Sequence, residues 1–161
     1  MYIDTPATPR IRGFEIVSRI TELDGFKKPR RGTKKSAGYD IFNNSNSTIV
    51  IPQGTTGSKI PTGIKAYMPD DNVLLAVPRS SMGFSNSTRL ANTIGIVDAD
   101  YYNNPKNEGE IFVKLRSPEV DLIIQPGEAI CQVIFTNYYI TDDDSETVGG
   151  DRVGGIGSTG K

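Results

Sequence analysis

The sequence predicts an all-β domain, a sandwich or barrel, and three observations carry that prediction. Turn signals recur roughly every ten residues with short apolar or alternating runs between them. The 17 Gly and 10 Pro exceed average usage, and no collagen-like period or low-complexity tract absorbs them, so they fall in many tight turns. No stretch shows the 3.6-residue period of an amphipathic helix, and there is no internal repeat. A length of 161 residues suits one domain whose core needs neither disulfides nor a structural metal.

The elements follow in chain order. Residues 11–20 hold enough branched and aromatic side chains for a first strand, although the alternation is imperfect. Residues 27–35 carry six basic side chains, broken by Pro29 and Gly32. They read as a solvated loop, or else as a patch that draws a polyphosphate toward a neighbouring site. After the segment 36–42 comes a polar turn at 43–47, a strand at 48–51, and a turn at Pro52-Gln53-Gly54. Residues 59–68 form another extended segment, interrupted by Pro61 and Gly63. Asp70-Asp71-Asn72 then turns the chain into 73–77, apolar throughout and of a length for a buried strand.

Pro78-Arg79-Ser80-Ser81-Met82-Gly83-Phe84-Ser85 follows at that strand's end. A guanidinium, two hydroxyls and backbone amides there make a phosphate clamp, though Arg-Ser-Ser also suits any exposed turn. Beyond a polar loop at 103–109, residues 110–115 alternate with Ile111, Val113 and Leu115 on one face. The last strands are 119–124 and 130–135, joined by Gln125-Pro126-Gly127. In the final strand Cys131, Val133 and Phe135 oppose Ile130, Gln132 and Ile134, so Gln132 sits between apolar neighbours. Its amide is either satisfied by backbone or reaches a ligand.

Composition excludes several chemistries. There is no histidine and one cysteine, Cys131, which rules out Ser-His-Asp and Cys-His machinery, a Cys-based zinc cage and an internal disulfide. Acid-base work near pH 7 falls to Asp, Glu, Lys or Tyr, and a metal would be a hard, oxygen-ligated one such as Mg²⁺. A net charge of -1 leaves no global basic field for a nucleic-acid backbone, so no nucleic-acid partner is expected. No long apolar run or leader pattern is visible, so no membrane association is expected.

Asn92-Thr93-Ile94-Gly95-Ile96-Val97-Asp98-Ala99-Asp100-Tyr101-Tyr102 has the order strand, acid, aromatic. Asn92 could pair with a base edge, Gly95 lets backbone approach a flat ligand, and Asp98 at a strand end could act as general base. The alternative is an ordinary hairpin whose aspartates cap a turn. The acidic run Asp142-Asp143-Asp144 with Glu146 reads as a solvated linker, and the tail from Gly149 is glycine-rich. Gly155 to Lys161 has the spacing of the start of a P-loop, but no Ser/Thr and no helix follow the lysine, which rejects that reading.

Five segments, in order, resemble the five motifs of the trimeric dUTPases. They are Ala37-Gly38-Tyr39-Asp40, Pro78-Arg79-Ser80-Ser81-Met82-Gly83, Gly95-Ile96-Val97-Asp98-Ala99-Asp100-Tyr101, Gly127-Glu128-Ala129-Ile130-Cys131-Gln132, and Arg152 through Gly160. Each motif alone is modest; five in register span nearly the whole chain. The resemblance implies a jelly-roll-like β domain over 1–141, with 142–161 an acidic linker and a flexible arm that closes a neighbouring subunit's site. It also implies a homotrimer whose sites lie between subunits, with dUTP as substrate.

Carried over by position, the resemblance makes Asp98 the base that activates water for attack on the α-phosphorus and a partner for the sugar 3′-hydroxyl. Tyr101 would pack under the deoxyribose and exclude a 2′-hydroxyl. Asn92, with the backbone at Gly95 and Ile96, would read uracil. Arg79, Ser80, Ser81 and Gln132 would hold the α and β phosphates. Asp40 would sit near a hydrated Mg²⁺ bound mainly by the phosphates, and Arg152, Ile156, Gly157, Ser158 and Thr159 would close the arm over the ligand.

Three departures stand out. Ile156 takes the place of the ring that stacks over the base in the family, and Tyr102 is the expected substitute. The loop 102–110 is longer than the family's short turn and resembles forms from Gram-positive bacteria and their phages. Ala129 replaces a common arginine. The expected reaction is hydrolysis of dUTP to dUMP and pyrophosphate in the cytoplasm, or the host cytoplasm if phage-encoded. The alternatives are a dCTP deaminase of similar fold and a regulatory scaffold on which nucleotide occupancy controls a protein partner.

Overall fold

The computed structural model describes residues 9–22 and 24–144. The described chain begins with β1 (Gly13–Ile16) and β2 (Arg30–Arg31), then β3 (Tyr39–Phe42), β4 (Ile49–Ile51) and β5 (Thr55–Thr56). β6 (Ile60–Pro61), β7 (Ile64–Tyr67) and β8 (Asn72–Val77) lead into α1 (Ser80–Asn86). β9 (Arg89–Leu90) and β10 (Gly95–Asp98) precede a single 3-10 turn at Ala99–Tyr101. β11 (Phe112–Val113), β12 (Leu115–Ser117), β13 (Leu122–Ile124) and the long β14 (Ala129–Asn137) complete it.

All pairings are antiparallel. The largest sheet runs β10-β8-β14-β3-β2; a second runs β5-β12-β9, and β1-β7, β11-β6 and β13-β4 pair alone. These sheets enclose one core in which Ile41, Ile51, Ile64, Leu74, Leu115, Ile130 and Val133 are almost wholly buried. The all-β, jelly-roll-like expectation holds; β1, β4, β6, β7, β11 and β13 fall inside the spans read from sequence, β14 runs past its span at both ends, and the short strands β5 and β9 were not read.

Four local differences have physical causes. Residues 80–86, read as a turn, form a two-turn helix closed by Ser87 in the left-handed region. It is too short to display a periodic apolar face, and only Met82 is buried in it. The basic run is not wholly loop, because Arg30 and Arg31 pair with Asp40 and Tyr39 as an edge strand. β8 is buried on one face only: Asn72, Leu74 and Ala76 face the core, while Val73, Leu75 and Val77 are half-exposed. In β14 the register shifts between Ala129 and Cys131, so Ile130 and Cys131 are both buried despite adjacent positions. A bulge breaks the alternation that the sequence pattern assumed.

Candidate active site

β10 delivers Asp98. Its first residue lies so close to β8 that a Cβ on Gly95 would stand 3.0 Å from the Ala76 methyl and 3.7 Å from the Asn92 Nδ2. Gly95 thus serves strand packing, and Asn92 stands next to it. The pairing Ile96 with Leu75 and Asp98 with Val73 puts these four side chains on one face of the sheet, while Val97 packs against the core. Ile96 and Asp98 are exposed, and with Val73, Leu75, Asp100 and Tyr138 they line a groove of about 560 Å³. Its floor is apolar and its rim acidic, an arrangement suited to a flat, largely apolar ligand with one polar edge. Tyr138, whose hydroxyl donates to the Asp70 carbonyl at 2.6 Å, was not singled out from the sequence because it follows the last apolar alternation.

The second cluster gathers at the other end of β8. Gln132 lies between Asp40 of β3 and Val77 of β8. Arg79, just past β8, donates Nε to Asp40 Oδ1 at 3.0 Å, and Gln132 Nε2 donates to the Pro78 carbonyl at 3.3 Å. Ser80 and Ser81 open α1 and are exposed beside them. Gln132 is therefore partly satisfied by backbone, with its amide packed over Gly38. Below the cluster, burial, then the charge of Asp40, pushes the Cys131 thiol up to about 12. It stays protonated at neutral pH and is no nucleophile.

The two clusters are separated within one chain. Val73, opposite Asp98, and Val77, opposite Gln132, are four residues apart, or about 13 Å along a strand. A general base must be within roughly 3 Å of the water it activates. Within one chain Asp98 and the Arg79–Gln132 cluster therefore stand at opposite ends of β8.

After Asp98 the 3-10 turn carries Tyr101, only 8% exposed, whose hydroxyl donates to the Glu110 carbonyl at 2.9 Å. Tyr102 turns away from the groove. Its hydroxyl donates to Glu15 Oε2 at 2.5 Å, its ring meets Tyr67 edge-on at 6.0 Å, and the Lys65 ammonium lies 5.3 Å from the ring centre. The expectation that Tyr102 substitutes for the ring missing at Ile156 is corrected by this geometry, since its phenol is engaged on the β1-β7 pair. Arg152, Ile156, Gly157, Ser158 and Thr159 lie outside the described residues. Among the described residues no three His, Cys, Asp or Glu side chains gather to hold a metal ion.

The dUTPase family model matches residues 24–160. The chain belongs to the dUTPase family. It is 40% identical over 152 residues to the deoxyuridine 5'-triphosphate nucleotidohydrolase of Lactococcus lactis, covering 94% of this chain and 99% of that one. The relative of that name from Actinobacillus pleuropneumoniae is 32% identical over 86% of this chain and 94% of its own. The crystal structure of a Streptococcus mutans dUTPase superposes with a TM-score of 0.70 at 34% identity, over 81% of this chain and 98% of that one. A dUTPase variant from Staphylococcus aureus phage phi11 shares the fold, with a TM-score of 0.61 at 19% identity over 83% and 94% of the two chains, and is described as coordinating a structural Mg(II) ion. The dUTPase match covers both clusters, from Asp40 to Gln132.

Proposed function

We propose that this chain hydrolyses dUTP to dUMP and pyrophosphate at sites built between copies of itself. The observation that carries the reading is Asp98 on the rim of an apolar-floored groove in a dUTPase-family chain. In this reading uracil lies over Ile96 and Leu75, with Asn92 and the Gly95 backbone at the base edge, and Tyr101 packs under the deoxyribose. Asp98 takes a proton from a water as its oxygen bonds to the α-phosphorus and the bond to the bridging oxygen of pyrophosphate breaks. Arg79, Ser80, Ser81 and Gln132 of a neighbouring copy hold the α and β phosphates, so charge compensation meets the leaving group where it develops.

Mg²⁺ fits this donor set. Arg79 occupies Asp40 Oδ1, which leaves Oδ2 to hold a metal-bound water, and the lack of a carboxylate cage among the described residues suits an ion held chiefly by phosphates. When bound, the ion would neutralise phosphate charge. Arg152 and the residues 156–159 are proposed to close over the γ-phosphate and base. A homotrimer is the assembly proposed, and the cytoplasm the compartment; among the described residues no helix is long and apolar enough to cross a membrane.

The test is incubation with Mg²⁺ and, separately, dUTP, dCTP, dTTP and UTP, assaying pyrophosphate and ammonia together. Pyrophosphate from dUTP alone is expected. Ammonia from dCTP would make the chain a deaminase, and dUTP binding without turnover would make it a nucleotide-controlled scaffold.

A further inference from the structure

The loop 102–110 carries a network that the reaction as derived leaves unused. Asn104 is 4% exposed, and its Nδ2 donates to the Tyr101 carbonyl at 2.8 Å and to Asn107 Oδ1 at 2.6 Å. Its Oδ1 accepts from the backbone amides of Lys106, at 3.1 Å, and Asn107, at 3.3 Å. Asn107 Oδ1 also accepts from the Gly109 amide at 3.1 Å, and its Nδ2 donates to the Tyr101 hydroxyl at 2.8 Å. That hydroxyl in turn donates to the Glu110 carbonyl. Gly109, at φ +79°, lies so close that a Cβ there would stand 2.5 Å from the Tyr101 carbonyl oxygen. Both ends of Tyr101, the carbonyl and the phenol, are thus clamped by one nine-residue loop.

We infer that Asn107, supported by Asn104, is a positioning residue for sugar selectivity: it fixes the Tyr101 ring so that the ring cannot yield to a ribose 2′-hydroxyl. This rests on the proposed role of Tyr101 against deoxyribose. The physical reason is that steric exclusion is only as strong as the wall is stiff. A single hydroxyl needs little space, and a ring that rocks by a few tenths of an ångström admits it; interiors reject extra atoms because their neighbours cannot move. The Tyr101 hydroxyl bonds on both its donor and acceptor sides, which fixes the ring tip, and the carbonyl clamp fixes its root. Discrimination against UTP is therefore set partly by a side chain that does not touch the nucleotide.

Asn107→Asp is the discriminating variant, because it keeps the oxygen that accepts from Gly109 and Asn104 and turns the donor to Tyr101 into a charged acceptor, so the one phenol proton can no longer serve Glu110 while the hydroxyl accepts from residue 107. The ratio of kcat/KM for dUTP to that for UTP is measured in the full chain for wild type, Asn107→Asp, Tyr101→Phe and the double variant. In Asn107→Asp the ratio should fall about fivefold to tenfold, the scale of one buried hydrogen bond. The fall should come from a rise for UTP, with kcat for dUTP within about threefold of wild type. Tyr101→Phe should show a similar fall, and the double variant no further one, as groups acting through one bond must.

An unchanged ratio in Asn107→Asp or in Tyr101→Phe, with dUTP still turned over, would overturn the positioning role while leaving the dUTPase reading intact. Additive losses in the double variant would also overturn it, by showing that Asn107 acts elsewhere. A wild-type chain that does not prefer dUTP over UTP would remove both the reading and the inference.

Discussion

Gly38 decides where the Gln132 amide can stand, because a Cβ there would meet the Gln132 side chain. The obstructing atoms are the end of a flexible side chain, so Gly38→Ala should cost under ~1 kcal/mol of stability. It should nevertheless raise KM for dUTP about fivefold by displacing the amide proposed to hold a phosphate; melting temperature and KM measured together separate the two effects. Gly109→Ala meets backbone instead and sits in the left-handed region, so it should destabilise by ~2 kcal/mol or more, read from denaturant midpoints. Asp98→Asn should retain nucleotide binding, measured by titration calorimetry, and lose turnover by about 10²–10⁴-fold. Wild-type turnover in that variant would take Asp98 out of the base role.

At the scale of elements, β1, β7 and the loop 102–110 are held together by charge. Arg19 grips Glu110 through two nitrogens, with Nε at 2.9 Å, and Glu110 Oε1 also accepts from the Gly63 amide at 2.9 Å. Glu110 is buried and Arg19 half-exposed, so Arg19→Ala should cost ~1–2 kcal/mol, less than breaking a fully buried pair. The Tyr102 hydroxyl, then Arg10 and Lys65, holds the Glu15 carboxyl below its ordinary 4.5. The Ser18 hydroxyl and amide, then Lys65, do the same for Glu108.

A depressed folded value means that each carboxylate stabilises the fold above its unfolded pKa, and that the contribution fades as pH falls through the folded value. The melting temperature should therefore fall below about pH 4.5, and Glu15→Gln with Glu108→Gln should flatten that acid limb. An acid limb unchanged in the double variant would mean that other carboxylates govern it.

At the scale of the whole molecule, the β10-β8-β14 face leaves Val73, Leu75, Val77, Ile96 and Ile134 partly or fully exposed around the groove. An isolated chain would keep this face in water, and in the proposed assembly a copy laid against it would bury apolar surface and bring the Asp98 of one chain to the Arg79 of another. Light scattering should give three times 17.5 kDa. Asp98→Asn and Arg79→Ala chains, each inactive alone, should regain activity when mixed and refolded together. Random assembly would leave about a quarter of sites with both wild-type groups. No recovery on mixing would show that Asp98 and Arg79 of the same chain act together.

What the sequence determined by itself was whatever local chemistry dictates: antiparallel strands from alternation and turns, the exclusion of histidine and thiol mechanisms, and the motif residues in order. Arg79 was legible as a cation just past an apolar strand and Gln132 as a polar residue between apolar neighbours, whereas Asp40 was legible only through the motif resemblance. The helix at 80–86 was not legible, since two turns carry too few residues to show a period. The destination of Tyr102 was decided by Glu15, Lys65 and Tyr67, more than thirty residues away in sequence, and no local pattern encodes such partners. Only the tertiary structure decided where Asp98 and Arg79 stand within one chain, because the register of β8 against β10 and β14 fixes which end of the sheet each occupies. Strand register is a long-range outcome of packing, and it turns one list of motif residues into two separate clusters.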